Sequence, residues 1–209
     1  MMKTQLAAAV LVALSACATN TPPELPTGTW KGTATNGSIT EYQFDANNLR
    51  FQYGLAGSGG FLPLITGSYS VDYQQLTLDG SFVDPETGDV SYGKVQFDSF
   101  YSNGTTMCDN GYLASSAPTT GIVATWTAVE AMQDTDASGN PVGSPSDTSD
   151  SYTFAADGSF TTPTSAGTYT VSGNIVTTTI AQNNTAAVEQ FSLVDGVAMC
   201  DPAYTKVAN

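Results

Sequence analysis

The chain has 209 residues, 19 of them acidic and five basic, for a formal net charge of −14; it contains three cysteines and no histidine. Lacking histidine, it cannot use Ser-His-Asp or Cys-His catalysis or the common zinc sites. So acidic a surface also repels nucleic acid and anionic headgroups.

After Lys3 the chain enters an apolar run, Leu6 to Leu14, that is too short to span a bilayer as a permanent helix. Residues 1–16 read as a signal peptide. The run ends in Leu14-Ser15-Ala16-Cys17, which resembles the lipobox of bacterial lipoproteins. That resemblance implies lipidation of Cys17 and a membrane as partner through the anchor. With Ala18 rather than an aspartate next, it also implies sorting to the outer membrane of the cell envelope. An ordinary secretory cleavage site is the other reading, and either one takes the protein out of the cytoplasm. Residues 17–26 are polar and rich in proline, as in an extended tether.

Beyond the tether, landmarks recur in order. Gly67-Ser68-Tyr69-Ser70-Val71 matches Gly167-Thr168-Tyr169-Thr170-Val171, and Met107-Cys108-Asp109 matches Met199-Cys200-Asp201, with Tyr112 and Tyr204 at equal distances beyond. Thr29-Trp30 answers Thr125-Trp126, and Tyr42-x-Phe44 answers Tyr152-x-Phe154. The pattern predicts two units, 27–116 and 120–209, divided near Ala117–Gly121, where the composition is that of a loop. Within each unit apolar residues alternate, as in Leu49, Phe51, Tyr53 and in Leu76, Leu78, and no segment has a helical period. Asn103-Gly104, Asp157-Gly158 and Asp195-Gly196 predict two-residue hairpin turns. The fold class is therefore all-β, with two tandem antiparallel meanders that each curl to remove exposed edges.

The order Gly28-Thr29-Trp30, Tyr-x-Phe before a turn, Gly-x-Tyr-x-Val and a final Ala203-Tyr204-Thr205-Lys206-Val207 resembles the lipocalin-like β-barrel domains of bacterial secreted proteins and lipoproteins. The second unit carries the resemblance best. It implies that a tryptophan on the first strand and a basic residue on the last pack together to close one end of the barrel. Trp126 with Lys206 suits that part, whereas Trp30 has no basic residue at the matching place in its own unit.

The aromatic residues Tyr42, Phe44, Phe51, Tyr69, Tyr152, Phe154, Phe160 and Tyr169 stand at alternating strand positions and are candidates to line a ligand cavity; the simpler reading is that they fill the core. Cys108 and Cys200 occupy matching positions, so in an oxidising compartment they form one bridge between the units or remain two buried thiols. Asp134-Thr135-Asp136-Ala137-Ser138-Gly139 begins like a calcium loop, but Pro145 stands where the bidentate acid belongs. A long polar loop from Asp134 to Asp150 is the expectation, with no metal. Lys31, Lys94 and Lys206 sit in no Ser-Lys motif, so neither an enzyme nor a cofactor is expected. Two functions follow: a lipid-anchored envelope protein that binds a small apolar or amphipathic molecule, or one that acts through exposed loops on a protein partner while its barrel cores are filled.

Overall fold

The structure, a computed structural model, describes residues 25–34, 37–118, 120–182 and 185–208. Residues 1–16, expected as a signal peptide, and Cys17 lie outside them. Among the described residues every regular element is a strand, and the 17 strands join in one sheet. The all-β expectation holds.

The N-terminal half is a meander. Strands β1 (Gly28–Thr33), β2 (Ile39–Asp45), β3 (Arg50–Gly57), β4 (Gly60–Asp72), β5 (Gln75–Val83) and β6 (Val90–Phe97) pair antiparallel in chain order. Three short strands follow: β7 (Tyr101–Ser102), β8 (Thr106–Cys108) and β9 (Tyr112–Ala114). The second half continues with β10 (Thr125–Asp134), β11 (Ser146–Phe154), β12 (Ser159–Thr161), β13 (Ala166–Ser172), β14 (Ile175–Gln182), β15 (Thr185–Val194), β16 (Ala198–Cys200) and β17 (Tyr204–Lys206).

Strands β9 to β16 form a closed eight-stranded antiparallel barrel. Each neighbours the next, and β9 completes the ring by pairing on one side with β16 (Tyr112 opposite Met199) and on the other with β10 (Ala114 opposite Trp126). The barrel therefore starts before the loop at Ala117–Gly121 and ends before β17. That last strand returns to the N-terminal half, where Lys206 lies opposite Trp30 of β1 and Tyr204 opposite Met107 of β8. The first six strands, extended by β17, β8 and β7, make a curled sheet beside the barrel. Pairing of β6 with β10 joins the two bodies, with Val95 opposite Met132.

Two buried clusters fill the concave faces. One holds Trp30, Tyr42, Phe44, Phe51, Tyr69 and Leu76; the other holds Trp126, Tyr152, Phe154, Phe160, Val176 and Phe191. Burying one phenylalanine side chain contributes about 1.5–3 kcal/mol. A third cluster surrounds the Cys108–Cys200 disulfide, whose Cα atoms are 5.7 Å apart and which ties β8 to β16. Of the two fates left open for these cysteines, the structure has the bridge.

Two local expectations change. Asp195 and Gly196 both have positive φ, but Val194 lies opposite Ala198, so three residues make that connection; at Asn103-Gly104 and Asp157-Gly158 only the glycine has positive φ. There the preceding side chain caps the turn instead: Asn103 Oδ1 accepts from the amides of Thr105 and Thr106, and Asp157 Oδ1 from that of Ser159. The polar segment 134–150 is also shorter as a loop than expected, because β11 begins at Ser146 and places Asp147 and Asp150 opposite Ala131 and Ala128. Exposed on this stretch, the strand is polar at consecutive positions and so lacks the alternation that marks a half-buried one.

Gly67 permits the coiling of β4 over β5. A Cβ there would overlap the carbonyl oxygen of Asp79, and its sequence match Gly167 stands in the same relation to that of Thr179. Gly67→Ala is expected to destabilise the protein by about 1–3 kcal/mol, the usual cost of overpacking, read as a lower urea midpoint at unchanged slope. An unchanged midpoint would mean the strands separate freely there.

Candidate functional site

The eight aromatic candidates are mostly core. Tyr42, Phe44, Phe51, Tyr69, Tyr152, Phe154 and Phe160 are buried and Tyr169 is half-buried. They pack on one another: Tyr42 stacks on Phe44 at 5.2 Å, Tyr69 meets Phe44 edge-on at 4.8 Å, and Tyr169 meets Phe154 edge-on at 4.9 Å. Open space remains at three places that these residues touch: an apolar cup over Phe51, a polar chamber beside Tyr152, and a cleft of about 440 Å³ between Phe44, Phe51 and Arg50.

The first is an apolar cup of about 300 Å³ at the end of the curled sheet. Phe51 and Leu78, both buried, form its floor, while Ile65, Val95, Phe82 and Met132 rise around it. Cross-strand register puts these side chains on one face, since Ile65 lies opposite Phe82, Leu78 opposite Val95 and Val95 opposite Met132. Gly67, Gly80 and Gly93 stand in a row across β4, β5 and β6 on that same face. A row without side chains leaves the concavity unfilled. Phe82 is 39% and Met132 50% exposed, so an apolar wall stands open to solvent. The aromatic pattern in the sequence pointed to the floor through Phe51 and missed the walls; the signal for them was the glycine spacing in β4 to β6.

The second is a polar chamber of about 460 Å³ where the two halves meet. Asp109, Glu130, Asp150, Glu189 and Asp201 line it together with Tyr53, Tyr112, Tyr152 and Tyr204, and no lysine or arginine does. Two pairs matched in the sequence repeat, Asp109 with Asp201 and Tyr112 with Tyr204, thus meet in one cavity. Phenols serve as the donors to these acids. Tyr42 Oη donates to Asp109 Oδ2 at 2.8 Å, Tyr112 Oη to Asp150 Oδ2 at 2.9 Å and Tyr152 Oη to Glu189 Oε2 at 2.6 Å. Asn110 Nδ2 donates to Glu130 Oε2 at 3.2 Å. Burial raises the Asp109 carboxyl above the usual range despite its hydrogen bonds from Tyr42 and the Asn110 amide. Glu130 is raised by burial and then by the charge of Asp109. Burial and the facing acids push the Tyr112 and Tyr152 phenols up, so they remain protonated donors.

The remaining sequence candidates fall elsewhere. Lys206 Nζ lies 5.5 Å from the ring of Trp30, not Trp126, because β17 crosses to the N-terminal half. Trp126 has Ala114 opposite it and donates from Nε1 to the Ile122 carbonyl at 2.9 Å. The Asp134–Gly139 segment forms a hairpin turn in which Asp136 Oδ1 accepts from the amides of Ser138 and Asn140. Comparison with protein-family models, with curated proteins and with solved structures found no match.

The raised carboxyl of Asp109 has a pH signature. Its folded pKa exceeds its unfolded one, so the destabilisation it causes is absent below the unfolded value and complete above the folded one. Asp109→Asn keeps an acceptor for Tyr42 and removes the charge. The variant is expected to have a higher Tm than the natural protein at neutral pH, with the gap closing as pH falls into the ordinary carboxylate range. A gap independent of pH would rule out the titration of Asp109 as its source.

Proposed function

We propose that this is a non-enzymatic, lipid-anchored protein of the bacterial cell envelope, on the outer membrane, that binds a small apolar or amphipathic molecule in the cup on β4, β5, β6 and β10. The observation that carries the reading is the open apolar concavity bounded by Phe82 and Met132 and floored by Phe51 and Leu78. Its volume of about 300 Å³ lies at the small end of ligand sites. Polar groups at the rim, Lys94 and Asp134, suit a ligand with one wet end.

The same reading takes the chain as an internal duplication of two small lipocalin-like barrels, the second being the closed one. Support comes from the equal spacing of Cys108 and Tyr112 and of Cys200 and Tyr204, and from the parallel placing of β9 against β10 and β17 against β1. On this view each unit's last strand completes the other's barrel.

The cup is tested with a neutral fluorescent naphthylamine probe. Its emission is expected to rise on adding the purified protein and to fall on competition with long-chain alcohols. Met132→Lys, at a half-exposed position that folding tolerates, is expected to weaken probe binding about tenfold, since a charge at an apolar wall loses the contact and must be desolvated. Undiminished binding by the folded variant would remove the cup from consideration.

Lipid anchoring is tested separately. Cys17→Ser is expected to move the protein from the detergent-extracted membrane fraction to the soluble fraction of the envelope. A variant that stays with the membrane would show that Cys17 is not the anchor.

A further inference from the structure

The chamber between the two halves has no part in the apolar reading and shares no lining residue with the cup. We propose that it is a binding site for a small organic cation, a primary or quaternary ammonium compound, held by carboxylates within a cage of tyrosine rings.

The chemistry follows from the lining. Five carboxylates face a space that no lysine or arginine lines, and phenols and an amide, rather than cations, donate to Asp109, Glu130, Asp150 and Glu189. A phenol donates one hydrogen bond and neutralises nothing, so the negative field is focused in the cavity. The half-buried rings of Tyr53, Tyr112 and Phe97 supply π faces that attract an ammonium group, with the buried rings of Tyr152, Tyr204 and Phe191 behind them. Tyr112 and Tyr152 meet edge-on at 5.2 Å, and each also meets Phe191, at 5.7 and 5.3 Å. These rings brace one another and are set before a ligand arrives.

One unpartnered polar atom lines the chamber. The side-chain oxygen of Asn110 is buried without a donor. Buried polar atoms without partners are rare, and a bound ammonium or hydroxyl group would supply the missing donor. Among the described residues no three acidic side chains converge as a metal would need. Together with the aromatic walls, that favours a carbon-bearing cation over a bare metal ion. The volume of about 460 Å³ exceeds what one metal ion fills and lies in the range of small-molecule sites.

Titration calorimetry of the processed, disulfide-bonded protein at physiological ionic strength tests this. The probes are choline and putrescine, with 3,3-dimethyl-1-butanol and 1,4-butanediol as neutral molecules of the same shapes. Saturable one-to-one binding of either cation is expected, with no heat from its neutral counterpart. The double variant Asp150→Asn with Glu189→Gln keeps acceptors for Tyr112 and Tyr152 and is expected to bind about tenfold more weakly or worse, as for loss of close charge partners. A control pair away from the chamber, Asp72→Asn with Glu86→Gln, is expected to leave affinity unchanged. The proposal is overturned by the absence of cation binding, by equal binding of the neutral molecules, or by equal loss in both double variants, which would assign the effect to the acidic surface at large.

Discussion

Every strand edge in a sheet presents unpaired amide and carbonyl groups, and two strands of only three residues each meet that demand here. β9 fills the gap between β16 and β10, and β17 fills the gap between β8 and β1. Backbone pairing rather than side-chain packing decides where the ends of the chain go, because an open edge costs hydrogen bonds and invites pairing with other chains. The consequences reach far from the edges. Once β9 enters the barrel, Asp109, Asn110 and Tyr112 are carried to the boundary between the halves; once β17 crosses back, Asp201 and Tyr204 arrive from the other side. The chamber is a by-product of that crossing.

The same crossing explains what the sequence disclosed and what it did not. Leu76 and Leu78 alternate inward, and the rule of two that governs strands exposed them at once. Cys108 and Cys200 could be matched because both follow a methionine and precede an aspartate, with a tyrosine four residues beyond the cysteine. Which partner β9 and β17 choose was not legible, since Tyr112-Leu113-Ala114 presents the same backbone donors and acceptors to any edge. A tryptophan–lysine contact was expected from the resemblance to lipocalin-like domains, and it forms, but between Lys206 and the tryptophan of the other half. The chamber was equally hidden: its acids come from five separate places between Asp109 and Asp201, with no spacing that marks them as neighbours. The exposed start of β11, residues 146–150, looks like loop in the sequence because its residues are all polar.

An acidic chain with few cations must place its carboxylates where they do least harm, and two solutions coexist. Asp45, Asp136 and Asp157 cap turns and accept from nearby side chains and amides, and Asp195 accepts from two side chains, which lowers these carboxyls below the usual range. Asp195 also joins the halves by accepting from Tyr101 and Asn103, both at 2.7 Å, and with burial this pushes the Tyr101 phenol up to about 12. Two acids of the chamber follow the opposite rule. Burial raises Asp109 and Glu130, and the Tyr42 phenol and the Asn110 amide, respectively, hold them in place without cancelling their charge.

The Cys108–Cys200 bond has a topological consequence. Its two cysteines stand 92 residues apart and enclose nearly all of the closed barrel, so this part of the chain is a covalent ring from which the rest of the protein extends as two arms. A single protease cut inside the ring opens it but frees no fragment. A cut in either arm releases a piece at once, held only by the hydrogen bonds and packing of its strands. Under proteolysis the ring protects the barrel's integrity and leaves the curled sheet, with its apolar cup, as the part most readily lost.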